Sequence, residues 1–520
     1  MKSDNATSAH LEKAVDEPSD AVERGRRLQE DERQLTAWQT ARLYPHAVLY
    51  CSVAFTAGLM YGYDLIVNGS VIAMPSFIIR FGTTGASGLY LPTVWTSLWT
   101  SMTSLTQALG AYVVGLVADR WGRKWPGAAA GMLSLVGTAV LYTAETRGWL
   151  LAGKMITGAA IGAGMAAGTS YASEVAPLQL AGPIQASLVL FVVFMQGVGL
   201  GLVRVFVPHT ETQAFRNVFA IQWAVGSLAL VGFALTPESP VYLIRRGKVE
   251  QAKKVLGRIY SMHSNAEDRI AYLIQTMVEE QSRASNEAAS YLDCFRGTNL
   301  KRTLTVAFLY STNNWVGGAF LAQSTYFLLT VGLPAVHCFD IGIGGFGLAI
   351  VVIVCLANFG HKVSKRRWLL SGIVLNFLFM ITIGALYWAP GMGPVWAIGI
   401  LMNILISIQS SLLQAIGWPI AAQISSYRLR AKTLSIGVLS QTLSTWLTQF
   451  VVPYMYNTGS GDLGARTAFP FAGLSVLIFI CAYYCVPNTT GLTTEEIDRL
   501  YADKVPIKKF GAFMPETSLE

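Results

Sequence analysis

Gly115-Leu116-Val117-Ala118-Asp119-Arg120-Trp121-Gly122-Arg123-Lys124 closes an apolar run over 93–117, and its reading decides the fold. The run is long enough to cross a bilayer, which takes about 20 apolar residues. It stops abruptly in three cations and one carboxylate, as a spanning helix does where it meets water. Gly115 is small enough to let a second helix approach. Asp119 can cap the helix that follows, or pair with an arginine across a gate.

Outward from this stretch the same alternation repeats. Apolar runs occupy 48–70, 93–117, 127–144, 149–172, 184–206 and 217–235, then 303–330, 340–360, 368–388, 394–421, 434–455 and 468–486. The chain is therefore expected to be an all-α membrane protein with twelve transmembrane helices. Only 13% of its residues are charged and 52% are hydrophobic. Soluble domains carry roughly 25% charged residues, so lipid must cover much of this surface. A polar gap, 237–299, divides the spans into six and six, with tails at 1–44 and 488–520. The first tail is expected to be disordered apart from a short helix around Glu23–Leu43. Two six-helix halves (45–236 and 300–487) predict a solute site between them, near mid-membrane.

The net charge of +8 does not indicate nucleic acid, because the cations lie in short clusters between apolar runs. Arg120, Arg123 and Lys124, then Lys362 to Arg367, then Arg428, Arg430 and Lys432 fall on one side with the linker and both tails. The positive-inside rule makes that side cytoplasmic. The six cysteines lack metal-ligand spacing. No Walker loop, zinc motif or nucleophile elbow is present, so neither ATP, a cofactor nor catalysis is expected. Gly162, Gly164 and Gly168 sit in an apolar run and read as helix-packing residues.

Asp64, in Gly62-Tyr63-Asp64, lies midway along the first run. A carboxylate there costs roughly 3 kcal/mol on insertion scales unless it faces a cavity or a partner. Desolvation favours its neutral form and a nearby cation its ionised form, so changing surroundings can load and release a proton. The alternative is an Asp capping a broken helix. Lys154, inside the fourth run, is the expected partner, unless it reaches instead to the interface.

The decapeptide from Gly115 resembles the loop signature of the major facilitator superfamily. Ser173-Glu174-Val175-Ala176-Pro177 and Pro237-Glu238-Ser239-Pro240 resemble sugar-porter motifs. Ile424 to Thr433, Phe219 to Trp223, Pro453 to Asn457 and Val505 to Phe510 are similar to fungal maltose and α-glucoside permeases. The resemblance implies the major facilitator fold and proton-coupled sugar uptake across the plasma membrane, by a monomer. It implies proton coupling at Asp64 with Lys154, where the family has Arg. It also implies a sugar site from Tyr61, Gln196, Asn313, Asn314, Trp418 and Gln441, each amide being open instead to an interhelical hydrogen bond and each ring to core packing. A gating network of Asp119, Arg120, Arg123, Glu174, Glu238, Arg428 and Arg430 follows from the same likeness.

Several family positions differ. Val189 and Ala319 stand where the family has amides, and Gln423 where it has Glu. Ala181-Gly182 lacks the family's Arg, and Pro487 to Leu492 lacks its charges. These changes thin the gate and make the cavity less polar. They motivate two further readings: a diverged transporter or exporter of another small metabolite, and a transport-dead sugar sensor.

Overall fold

The computed structural model describes residues 19–33, 35–85, 88–260, 268–276, 291–359, 363–426, 429–457, 460–490, 492, 494–503, 505–507 and 510. The first half contains α1 (Pro45–Ser70), α2 (Thr93–Trp121), α3 (Lys124–Tyr142), α4 (Arg147–Val175), α5 (Leu178–Phe206) and α6 (Thr212–Leu235). The second contains α7 (Gly297–Asn313, with Ala319–Ala322 and Ser324–Thr330 beyond a break), α8 (Ala335–Phe359), α9 (Lys365–Ala385), α10 (Met392–Ile408 continued by Ala415–Ile424), α11 (Arg430–Tyr456) and α12 (Ala468–Cys485).

Among the described residues nine helices are long and apolar enough to cross a bilayer. The others at expected spans are α5, whose apolar stretch Leu190–Phe206 is shorter, and α7 and α11. The break cuts the first segment of α7 to 17 residues, and both α7 and α11 carry many polar residues. Thr303, Thr305, Ser311, Thr312 and Asn314 are buried on α7 and at its break, and Ser444 and Thr448 on α11. These side chains bury against protein, where a polar group can find a partner that lipid would not give it.

Glycines set the approach of α2 to α4. A Cβ on Gly162 would lie 1.9 Å from the Gln107 carbonyl oxygen, and one on Gly110 would lie 2.0 Å from that of Ala159. Gly164 meets Met60, so two of the three α4 glycines named from sequence are packing positions. Gly115 is different from expectation, since a Cβ there would meet nothing within 4 Å. The packed face of α2 runs through Gly110, Val114 and Ala118 at helical spacing, and Gly115 lies off it.

The break in α7 is satisfied from its neighbours. Gly317 has φ +106°, and the freed Val316 carbonyl accepts from Asn376 at 3.0 Å and Gln409 at 3.4 Å. Gln409 begins a π-turn in α10 (Gln409–Gln414) and also donates to Asn376 Oδ1 at 2.7 Å. Irregular backbone at this depth needs such partners.

Part of the expected tail is ordered. Ser19–Arg33 and Ala37–Leu43 are helices, with Thr36 forming a capping box with Gln39. Glu32 pairs with Arg269 and accepts from the Tyr44 hydroxyl at 2.5 Å, and Arg24 meets Asp268 at 3.1 Å. The amphipathic helix Val249–Tyr260 completes this cluster, burying Leu256, Ile259 and Tyr260 beside Tyr171 and Val175 of α4. Apolar burial and the Glu32–Arg269 pair thus bind both polar segments to the first half. Residues 1–18 and, within the linker, 261–267 and 277–290 lie outside the described set.

Candidate functional site

The two halves meet tightly at one end. Thr93 Oγ1 bonds to Asn457 Nδ2 (3.3 Å) and Ser460 Oγ (2.9 Å), and Ser104 donates to Gln449 Oε1 at 2.8 Å. Arg204 of α5 pairs with Asp340 of α8 at 2.9 Å. All these contacts lie in the half of the membrane away from the Arg/Lys clusters, hereafter the far side; the clusters define the basic side. A small pocket remains beneath this closure, with room for about one water and partly continuous with solvent. Asp64, Asn68, Thr100, Thr103, Ser104 and Gln107 line it from the first half, and Ala322, Gln323 and Gln449 from the second.

Asp64 is therefore on the inter-half pocket, not on lipid, and its Oδ2 is buried without a partner. A buried, unpaired carboxylate oxygen is costly, and it is relieved by a proton or a donor. The structure does not put Lys154 directly on it. Among the described ion pairs none joins the two. The ammonium donates to the carbonyl of Asn68 at 3.3 Å and to the Asn68 side-chain oxygen. Lys154 is 3% exposed, so it is buried within the bundle and does not snorkel to the interface. Asn68 was missed from sequence. Its position four residues after Asp64, on the same helical face, is the signal that could have found it.

The expected solute residues separate into groups. Tyr61 is half-buried on α1 against the large core. Gln196 is half-buried on α5. Asn313 Oδ1 is buried without a partner at the break in α7. Asn314 is spent on α11, donating to the Gln441 carbonyl (3.2 Å), Ser444 (2.9 Å) and Thr445 (2.7 Å). Gln441 itself contributes its carbonyl to that network. Trp418 stacks on Tyr310 at 5.8 Å with ring planes 13° apart. Ala319 is 3% exposed and packed in the core.

At the basic side, the loop after α2 forms a dense charged knot. Gly122 turns with φ +89°, and a Cβ there would lie 2.2 Å from Glu238 Oε2. That turn admits the Glu238 carboxylate onto the exposed N–H groups at the start of α3: Arg123 N at 2.8 Å and Lys124 N at 3.3 Å. Glu238, rather than Asp119, is the cap of that helix. Asp119 instead meets Arg123 at 3.4 Å. Arg123 is buried, reaching Glu174 at 2.9 Å and the Ala118 carbonyl at 2.7 Å. Ser239 donates to the other Glu174 oxygen. The Arg120 carbonyl accepts from the Tyr242 hydroxyl at 2.8 Å, while its side chain is exposed. Arg430 is exposed at the start of α11, and Arg428 lies outside the described residues.

The equivalent turn in the second half is neutral. Thr490 Oγ1 takes the place of Glu238 and accepts from Lys365 N at 2.9 Å, and Lys365 Nζ meets Gln423 at 3.1 Å. Removing the charged cap by Glu238→Ala is expected to cost about 1–2 kcal/mol. It would show as a lower unfolding temperature and faster proteolysis after Arg123, whereas Thr490→Ala would show a smaller effect.

Residues 50–501 match the family described as sugar (and other) transporters. The chain is 42% identical over 483 residues to the MFS transporter fmqE of Aspergillus fumigatus, covering 90% of each. It is 25% identical over 489 residues to the general alpha-glucoside permease of Saccharomyces cerevisiae, covering 93% of this chain and 79% of the permease. Among solved structures, the inward open xylose transporter XylE from E. coli aligns with TM-score 0.68 at 18% identity, over 86% of this chain and 98% of that one.

Proposed function

Because the chain belongs to the sugar (and other) transporter family of the major facilitator superfamily, we propose that it moves a sugar together with a proton by alternating access. The observation that carries this reading is Asp64: a buried carboxylate oxygen without a partner, on a pocket lined by both halves. Such a group changes surroundings when the halves rock, and a proton is the smallest partner that can satisfy it. Lys154 and Asn68 hold the neighbouring charge in place. Asn313, Gln196 and Gln441 supply amides, and Tyr61 and Trp418 supply ring faces, to hydroxylated solute. The knot of Asp119, Arg120, Arg123, Glu174 and Glu238 anchors the basic end of the first half, and Arg430 at the start of α11 serves the second. The basic side, with both termini, is assigned to the cytoplasm of a plasma-membrane protein acting as a monomer.

The test is transport by purified protein in liposomes. With a proton gradient imposed, labelled maltose, glucose and xylose are offered in turn. Uptake of at least one, collapsing when the gradient is collapsed by a protonophore, supports the reading. A protein that passes protons with none of these sugars but does so with another metabolite overturns the sugar assignment. That second reading has its own support, since the 42% identical relative is named as a transporter without a sugar.

A further inference from the structure

Asp64 takes its surroundings from two bodies. Among the described residues, the charged or titratable groups that act on it come from its own half: Lys154 on α4, and Tyr61 and Tyr63 on α1 itself. These ride in the same six-helix bundle, so rocking of the halves leaves them in place. On the pocket wall, α2 adds hydroxyls and Gln107 but nothing titratable. Two of the hydroxyls are committed: Thr100 donates to the Thr96 carbonyl and Thr103 to that of Trp99, each at 3.0 Å. Apart from hydration, a change in the proton affinity of Asp64 during the cycle therefore comes from the opposite half.

That half offers two amides to the pocket. Gln449 Oε1 is already engaged by Ser104. Gln323 sits between Ala319–Ala322 and Ser324–Thr330, beyond the α7 break, and is 2% exposed. Its Oε1 accepts from the Tyr456 hydroxyl at 2.7 Å, while its Nε2 is buried with no partner. The Tyr456 bond has a directional consequence. It occupies the amide oxygen, which would repel a carboxylate, and leaves the N–H groups for the pocket. Among the pocket-lining residues described, Asp64 Oδ2 and Gln323 Nε2 are the two buried polar atoms without partners, one acceptor and one donor. The helices touch beside them, since a Cβ on Gly69 would lie 2.8 Å from the Ala322 carbonyl.

We propose that Gln323 is the positioning residue that makes proton release from Asp64 depend on closure of the far side. Its amide N–H, through one water in the pocket between them, holds the Asp64 carboxylate when the far side is shut. The proton then leaves Asp64 for water on the basic side. When the far side opens, Gln323 departs with the second half, the carboxylate loses its donor, and it takes a proton from far-side water. This deepens the reading of Asp64 as the proton site and rests on it. Opening also hydrates Asp64, which alone would favour its charged form; loss of the Gln323 donor outweighs this, so far-side closure accompanies ionisation and is favoured as pH rises.

The test needs no identified solute. Thr93 is 7% exposed beneath Asn457 and Ser460, so Thr93→Cys, in a chain whose six natural cysteines are changed to Ser, reports far-side opening. Full-length protein in liposomes is labelled with a membrane-impermeant maleimide across a range of pH. After correction for maleimide reactivity, labelling should fall as pH rises. In Gln323→Met and Gln323→Leu, which both lack the donor, the closed-state proton affinity should gain about tenfold, so the fall in labelling with pH should shrink and its midpoint move up. Either folded variant suffices. Tyr456→Phe, which frees the amide to turn, should move it less in the same direction. A role confined to packing would change labelling at every pH alike with the midpoint fixed, and that result overturns the proposal. Asp64→Asn separates the two levels. A flat Asp64→Asn curve with an unmoved midpoint in both Gln323 variants sinks the Gln323 proposal alone. An Asp64→Asn curve identical to the parent sinks the reading of Asp64 beneath it.

Discussion

Asp64→Asn should abolish proton-driven accumulation while leaving solute exchange. In the parent a gradient of one pH unit, with one proton per solute, supports accumulation of about tenfold. In the variant the ratio should fall to about one, because an amide neither binds nor releases a proton in the working range. Exchange needs only the two rocking states and a filled site, so it should continue at reduced rate. The pocket geometry makes the substitution tolerable: Asn is isosteric, and the orphaned Oδ2 position receives an amide nitrogen or oxygen. The measurement is paired, with labelled-solute uptake under an imposed gradient and counterflow without one. Equal accumulation by parent and variant would remove Asp64 from the coupling mechanism.

Gly162→Val should deprive the protein of its fold. The added Cβ would fall 1.9 Å from the Gln107 oxygen and 2.6 Å from its carbonyl carbon. Those are backbone atoms of a helix that cannot rotate aside as a side chain can. Separating α2 from α4 would also undo the contacts of Gly110 with Ala159 and of Gly158 with Thr103. Overpacking of well-filled cores costs about 1–3 kcal/mol, and a clash against backbone belongs at or above the upper end. At ~3 kcal/mol the folded-to-unfolded ratio falls by more than a hundredfold. Size-exclusion profiles of the detergent-extracted protein would show it as loss of the monodisperse peak. Gly115→Val is the matched control, because a Cβ there meets nothing within 4 Å in this conformation.

The architecture was legible because lipid imposes a length and a composition on every span. The runs at 93–117 and 149–172 correspond to Thr93–Trp121 and Arg147–Val175. Where spans serve the protein interior, the signal weakens. Some of the polar residues of α7 and α11 bond the two helices together, as Ser311 does to Ser440 and Asn314 to Ser444 and Thr445. Asp64 was legible as a lone carboxylate in an apolar run. Gln323 was not, because an amide near the end of a span is unremarkable until Tyr456 is seen to orient it. Helix partnership was equally hidden: Gly115 and Gly162 look alike in sequence, yet one faces space and the other backbone. The carboxylate of Glu238 crosses 115 residues of chain to cap α3, and local pattern cannot reveal such a meeting.

The far-side closure is fastened almost entirely by neutral groups, Thr93 with Asn457 and Ser460, and Ser104 with Gln449. The ion pair it includes, Arg204–Asp340, is partly exposed, and solvent weakens it. Such a fastening comes apart one tooth at a time and strands no bare charge in oil as it opens. Ionic strength therefore has little purchase on it, and the swing of the molecule should answer to heat and lipid far more than to salt.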